Sequence, residues 1–240
     1  MADVAGEAVF ADLHCHSSAS FDSLSRPADL VRVALGRGLT HLAITDHGSL
    51  DGALAARDLA PEGLIVIVGE EVRSADGDVI GLYLERAVPS GLSALETIVA
   101  IHEQGGLAGI PHPFDRFRAS GLARLAPERM VEVVAQVDYI EVWNARVPTA
   151  AVNERARDFA LAHGLPGVAV SDAHSTLEVG VAYTRLAGPI TDAAALKAAL
   201  PAAQPIPGRA SVLVRALTPW AKLVQWGRGR GRAPAGTGRR

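Results

Sequence analysis

The segment Asp12-Leu13-His14-Cys15-His16, led in by Val9-Phe10-Ala11, decides how this chain is read. Successive side chains of a strand point to opposite faces, so His14 and His16 share one face and Cys15 takes the other. Two imidazoles about 7 Å apart along a strand can converge on one cation, each offering a nitrogen lone pair at roughly 2.0–2.1 Å. Cys15 is left for the packed layer behind the strand. A lone His-x-His carries little weight, because two core or surface histidines read the same. It gains weight only if other strands end in the same chemistry.

They do. Asp46-His47 follows Leu42-Ala43-Ile44-Thr45, Glu70-Glu71 follows the run Leu64 to Gly69, and His112 follows Leu107-Ala108-Gly109-Ile110-Pro111. Glu141 closes Val137 to Ile140, and Asp172-Ala173-His174 closes Gly167 to Ser171. Five of the eight histidines stand at such ends beside acids. A satisfied core imidazole is the usual account of one isolated histidine, but it does not explain this repetition.

Between these runs lie helical patterns. Ser25 as N-cap with Pro27 and Asp29 in the first turn predicts a helix ending near Gly36, and a second spans Leu50 to Ala60. Asp76-Gly77-Asp78 reads as a turn before a strand from Val79. Ser93 predicts a capped helix from Ala94, and further helices are expected over Pro127 to Gln136, Ala150 to Ala162 and Thr191 to Leu200. Alternating near-continuous apolar strands and amphipathic helices indicate an α/β fold with a largely parallel sheet. In such folds the C-terminal strand ends build the site, which is where each donor falls.

A chain of 240 residues, 49% hydrophobic, is long enough for one such domain, assigned to residues 8–210. A C-terminal amphipathic segment at 211–226 contains Trp220, Leu223 and Trp226, and an Arg/Gly-rich stretch at 227–240 is expected to be disordered. The net charge of −3 offers no general footprint for nucleic acid, which could be touched only weakly through the Arg/Gly tail. A single cysteine rules out an internal disulfide framework and suits a reducing compartment. With no membrane-length apolar run and no signal-like N-terminus, a cytoplasmic location without membrane partners is expected.

The ordered motifs, Asp12 to Ser17, Ile44 to Gly48, Gly69 to Glu71, Pro111 to Phe114 and Ser171 to His174, resemble those of the PHP superfamily, named for polymerase and histidinol phosphatase domains. The resemblance implies a distorted (β/α)₇ barrel holding two or three divalent ions, and most characterised members hydrolyse phosphate esters. It implies one ion on His14, His16, Glu71 and Asp172. A second would share Glu71 and use His112, and a third would take Asp22, His47 and His174. Relatives usually carry a histidine after the bridging glutamate, where this chain offers Asp78. Only 40 residues separate Glu71 from His112, which leaves no room for the inserted cap of small nucleotide-phosphatase relatives.

Imidazole and carboxylate donors without thiolate suit Mn²⁺, Zn²⁺ or Fe²⁺ alike. A carboxylate bridging two ions roughly 3.5–4 Å apart would set one for the attacking and one for the leaving oxygen, with bound water ionising near pH 7. The expected activity is therefore hydrolysis of a small phosphate ester, a phosphomonoester before a phosphodiester. Arg116, Arg118 and Arg146 are candidates to clamp a phosphoryl oxygen. Asn144 is a candidate to orient substrate. Asp46 and Asp12 are expected to orient imidazoles, with Asp46 and His47 assisting catalysis. Glu70 should face away from Glu71. Hydrolysis of C–N or C–O bonds on the same scaffold, and a non-catalytic, nucleic-acid-associated accessory role, are the alternatives.

Overall fold

The computed structural model describes residues 8–115, 122 and 125–231. Among these residues nine strands form one sheet: β1 (Ala8–Asp12), β2 (His41–Ile44), β3 (Ile65–Arg73), β4 (Asp78–Leu82), β5 (Leu107–Ile110), β6 (Tyr139–Asn144), β7 (Gly167–Val170), β8 (Tyr183–Ala187) and β9 (Gln204–Ile206). Their spatial order is β7-β6-β5-β4-β3-β2-β1-β8-β9. Helices α1 (Pro27–Gly36), α2 (Asp51–Leu59), α3 (Ala94–His102), α4 (Pro127–Val134), α5 (Ala150–His163) and α6 (Ala193–Ala199) alternate with them, and α7 (Val212–Arg215) and α8 (Leu217–Gly227) follow.

The sheet curls into the distorted barrel that the motifs imply, and its distortion has identifiable causes. Strands β1, β2, β3, β5, β6 and β7 run parallel, whereas β4 pairs antiparallel with both β3 and β5. A parallel return needs a crossover of a dozen or more residues. Only a tight turn joins β3 to β4, in which Ser74 Oγ accepts from the N–H groups of Asp76 and Gly77 at 3.2 and 3.0 Å. At the opposite seam, β8 and β9 lie between β1 and β7, and the Thr184 hydroxyl both accepts from Ala169 N and donates to Ala169 O at 2.9 Å. At the C-terminal mouth β1 and β7 meet directly: Cys15 bridges Ala173, and His16 N donates to Ala173 O at 2.8 Å.

Two apolar layers hold this arrangement. An inner cluster of Val9, Ala11, Leu13, Ile67, Ile80, Tyr139, Val168 and Val170 fills the barrel, and Leu196 and Leu200 from the α6 region join it. Gly109 makes room for the Tyr139 ring, since a Cβ there would come within 2.2 Å of it. The outer cluster packs Leu42, Ile44, Val66 and Val68 against α1 to α5. Ser93 and Glu96 form the reciprocal cap expected of α3. Ser25 does not cap α1. Arg26 holds that position with extended backbone and Pro27 is the first helical residue, because the Ser25 carbonyl is engaged by Ser18 N at 2.7 Å. No helix among the described residues is long and apolar enough to cross a membrane.

Candidate metal centre

The donors reach one cavity by three different local devices. Val9, Ala11 and Leu13 belong to the inner cluster but Cys15 to the outer one. The alternation therefore slips by one residue just where regular strand geometry ends after Asp12, and the slip turns His14 and His16 inward. Glu71 needs no such device, since it keeps the inward phase of Ile67 on β3. His112 and Asp172 enter through the left-handed backbone region, with φ of 27° and 52°. That conformation costs a non-glycine residue roughly 1–2 kcal/mol and is concentrated at functional sites.

The side chains converge tightly, and His14, His16, Glu71, His112 and Asp172 are all buried. Nε2 of His14 lies 3.0 Å from Nε2 of His16, and these nitrogens lie 3.2 and 3.3 Å from Oε2 of Glu71. Both are 3.6 Å from Oδ1 of Asp172. His47 Nε2 is 3.4 Å from the same Glu71 oxygen and 3.6 Å from Asp22 Oδ2, which His174 Nε2 approaches at 3.2 Å. Oε1 of Glu71 turns the other way, toward Nε2 of His112 at 3.1 Å. Asp78 groups with Glu71 and His112, while its Oδ1 is 3.2 Å from Arg73.

A tetrahedron with corners at 2.0–2.1 Å from its centre has edges of about 3.3 Å. The observed separations bracket that edge, so the residues fit divalent cations. Four such donor groups occur among the described residues: His14 with His16 and Asp172, His16 with Asp22 and His174, His16 with His47 and Glu71, and Glu71 with Asp78 and His112. Glu71 faces one group with each oxygen, an arrangement open to a carboxylate shared by two ions.

Proton placement agrees with this reading. His14 Nδ1 is 2.6 Å from Oε1 of Glu141, so in the neutral ring the proton stays on Nδ1 and Nε2 is the nitrogen turned toward the cavity. His174 achieves the same by donating from Nδ1 to the Asp172 carbonyl at 2.8 Å. Burial pushes His174 down to about 4, with Arg146 adding to the effect against the pull of Asp22. Burial also opposes charge on His14, but Asp172, Glu141 and Glu71 overcome it and hold the imidazole well above its ordinary range. The same contest leaves His16 at about 9, with Asp172 and Glu71 prevailing over burial. Glu71 is held well below the usual carboxylate range, since His47, His14 and His112 outweigh its burial.

Other expectations need correction. Asp46 does not orient an imidazole: it accepts from Ser17 N and Ser17 Oγ at 2.6 and 2.5 Å. Asp12 likewise binds Ser171 and the Gly180 N–H. Both carboxylates brace loops that carry donors. The orienting carboxylate is Glu141, which also accepts from His112 N at 2.8 Å and Asn144 Nδ2 at 2.9 Å. Asn144 donates to Asp172 as well, at 3.0 Å. The Arg146 guanidinium is not held out at the rim. It pairs with Glu178 at 2.5 Å and donates to Thr218 Oγ1 at 2.8 Å. Arg116 and Arg118 lie outside the described residues. Glu70 faces away from Glu71, accepting from Val88 N at 2.9 Å, and His41, His102 and His163 have separate partners.

Residues 12–140 match the PHP domain and residues 151–205 the PHP-associated region. The chain belongs to the PHP family. Among PHP relatives, an uncharacterized protein of Methanocaldococcus jannaschii is 36% identical over 157 residues, covering 61% of this chain and 88% of the relative. A 5'-3' exoribonuclease of Haemophilus influenzae is 32% identical over 121 residues, but the match covers 45% of this chain and 44% of that enzyme. In structure, a two-domain protein from Bacteroides vulgatus containing a predicted PHP-like metal-dependent phosphoesterase superposes with a TM-score of 0.71 at 19% identity, over 85% of this chain and 66% of that one. This last likeness establishes the fold.

Proposed function

We propose that this PHP-family chain hydrolyses a phosphate ester of a small molecule at a centre of two or three divalent ions, Mn²⁺, Zn²⁺ or Fe²⁺. The single observation that supports this reading most is the split engagement of Glu71, one oxygen toward His14, His16 and His47 and the other toward His112. Divalent ions at such a centre supply activation of water and neutralisation of charge on the phosphoryl oxygens.

The chain's own residues have distinct tasks in this reading. His14, His16, Asp22, His47, Glu71, His112, Asp172 and His174 present lone pairs, with Asp78 completing the His112 side. Glu141 keeps the His14 proton on Nδ1 and anchors the backbone of His112, so one carboxylate fixes two donors. Arg146 is a positioning residue: it holds Oε1 of Glu178, whose Oε2 accepts from His174 N at 3.1 Å. The name of the Haemophilus relative favours a second reading, that the ester is a diester.

Metal analysis and turnover of p-nitrophenyl and bis-p-nitrophenyl phosphate test both readings. His14→Ala and Asp172→Asn are expected to lose bound metal and to lower turnover by roughly three orders of magnitude or more, the scale of losing transition-state charge stabilisation. Full activity in either variant overturns the assignment. Preference for the diester substrate selects the second reading.

A further inference from the structure

Helix α8 is built inside out. Its buried face is Thr218, Ala221 and Gln225, and its exposed face carries Leu217, Trp220, Leu223 and Trp226. The two indoles are 61% and 74% exposed. A surface helix ordinarily turns its apolar stripe to the core. Here polar contacts secure it instead, with Gln225 Nε2 lying 2.8–2.9 Å from the carbonyl oxygens of Ser18, Ser20 and Ser23. Thr218 meanwhile takes the Arg146 guanidinium. The first contact holds the loop that carries Asp22, and Arg146 in turn pairs with Glu178, which accepts from His174 N, so α8 is fixed relative to the candidate metal centre.

Trp220 and Leu217 line a groove of about 350 Å³ that Leu24 and His174 also line. The one carboxylate among the described residues lining the groove, Asp29, is ion-paired with Arg26 and Arg32. Beyond Asp192 the sequence holds nine Lys and Arg and no Asp or Glu, in a chain whose net charge is −3. Exposed cations, Lys222 and Arg228 among them, thus accompany the indoles.

We infer that α8 is a base-stacking platform for single-stranded nucleic acid, with a nucleobase on Trp220 and the backbone phosphates met by Lys222 and Arg228. The inference rests on the second, diester reading of the proposed function and names single-stranded nucleic acid as its substrate class in place of a small molecule. Aromatic faces flanked by cations bind single strands through stacking and phosphate contacts. A lipid surface or a second copy of the chain would cover the apolar row but would leave the groove beside His174 unused. A strand uses both.

Binding of a fluorescein-labelled thymidine oligonucleotide to the full chain, followed by anisotropy with EDTA present, tests this without turnover. Trp220→Ala is expected to weaken binding about 5-fold or more, the loss of one stacked base, and Trp220→Phe to restore most of it. Affinity should fall as salt rises. Equal binding by Trp220→Ala and the unaltered chain overturns the proposal. So does Trp220-dependent binding to phosphatidylglycerol vesicles, or Trp220-dependent self-association, without oligonucleotide binding. Turnover of p-nitrophenyl phosphate by the unaltered chain is measured separately. Absence of turnover of both this monoester and bis-p-nitrophenyl phosphate, beside Trp220-dependent oligonucleotide binding, removes the phosphoesterase reading and supports the platform.

Discussion

Oε1 of Glu141 lies 2.6 Å from Nδ1 of His14, although the two residues are 127 positions apart. This contact sets which nitrogen of His14 carries its proton, and so which one can accept a cation. Such carboxylate partners of metal-binding imidazoles are worth about 10–100-fold in metal affinity. Glu141→Gln is therefore expected to weaken Zn²⁺ or Mn²⁺ binding by that factor while the chain stays folded. Competition with a chelator of known affinity measures it, and an unchanged constant would show that Glu141 does not orient the centre.

Metal binding should be coupled to proton release. Against burial, which lowers both, nearby carboxylates raise His16 from 6.5 to about 9 and hold His14 well above its ordinary value, so both tend to be protonated near neutrality. A donor imidazole must be neutral. Apparent affinity should consequently climb as pH rises from 6.5 toward about 9. Calorimetric titration in buffers of different ionisation enthalpy reads the protons released, and a buffer-independent enthalpy would contradict the expectation.

Glu70 gives a separate signature in stability. Burial raises its carboxyl from 4.5 to about 7, against the Val88 N–H, which favours the charged form. Folding is thus unpenalised by this group below pH 4.5 and carries the full penalty above about pH 7. At 1.36 kcal/mol per unit the penalty is at most about 3 kcal/mol. Glu70→Gln keeps an acceptor for Val88 and should be more stable than the parent at pH 8 but not at pH 4.5. Urea unfolding in EDTA at the two values decides it.

Gln225 ties α8 to the loop that bears Asp22. Gln225→Ala leaves the carbonyls of Ser18, Ser20 and Ser23 without that donor, at a cost of about 1–3 kcal/mol. A chain of this size loses roughly 2–4 °C in Tm per kcal/mol. Hydrogen exchange should speed up selectively over residues 18–23. Unaltered exchange there would separate the helix from the loop's order.

Much of the centre was legible locally. Strand alternation puts His14 and His16 on one face with Cys15 on the other and separates Glu70 from Glu71, while the slip after Leu13 decides which of those faces turns inward. The Asp76-Gly77-Asp78 turn places Asp78 beside Glu71, where it joins His112 in one donor group. What escaped is what depends on distant partners. Nothing near Asp46 in sequence distinguishes an imidazole orienter from a brace for Ser17, 29 positions away. The signal for Glu141 was present, an acid closing a strand among other donors, but its partner was not.

By itself the sequence determined the donor chemistry and its delivery to strand ends, because residue type and a two-residue period are local properties. Tertiary structure alone decided the proton positions, the commitment of Arg146 to Glu178 and Thr218, and the inverted polarity of α8. Each of these is set by which hydrogen-bonding group a buried side chain meets across the barrel, and a buried polar atom takes its role from that partner.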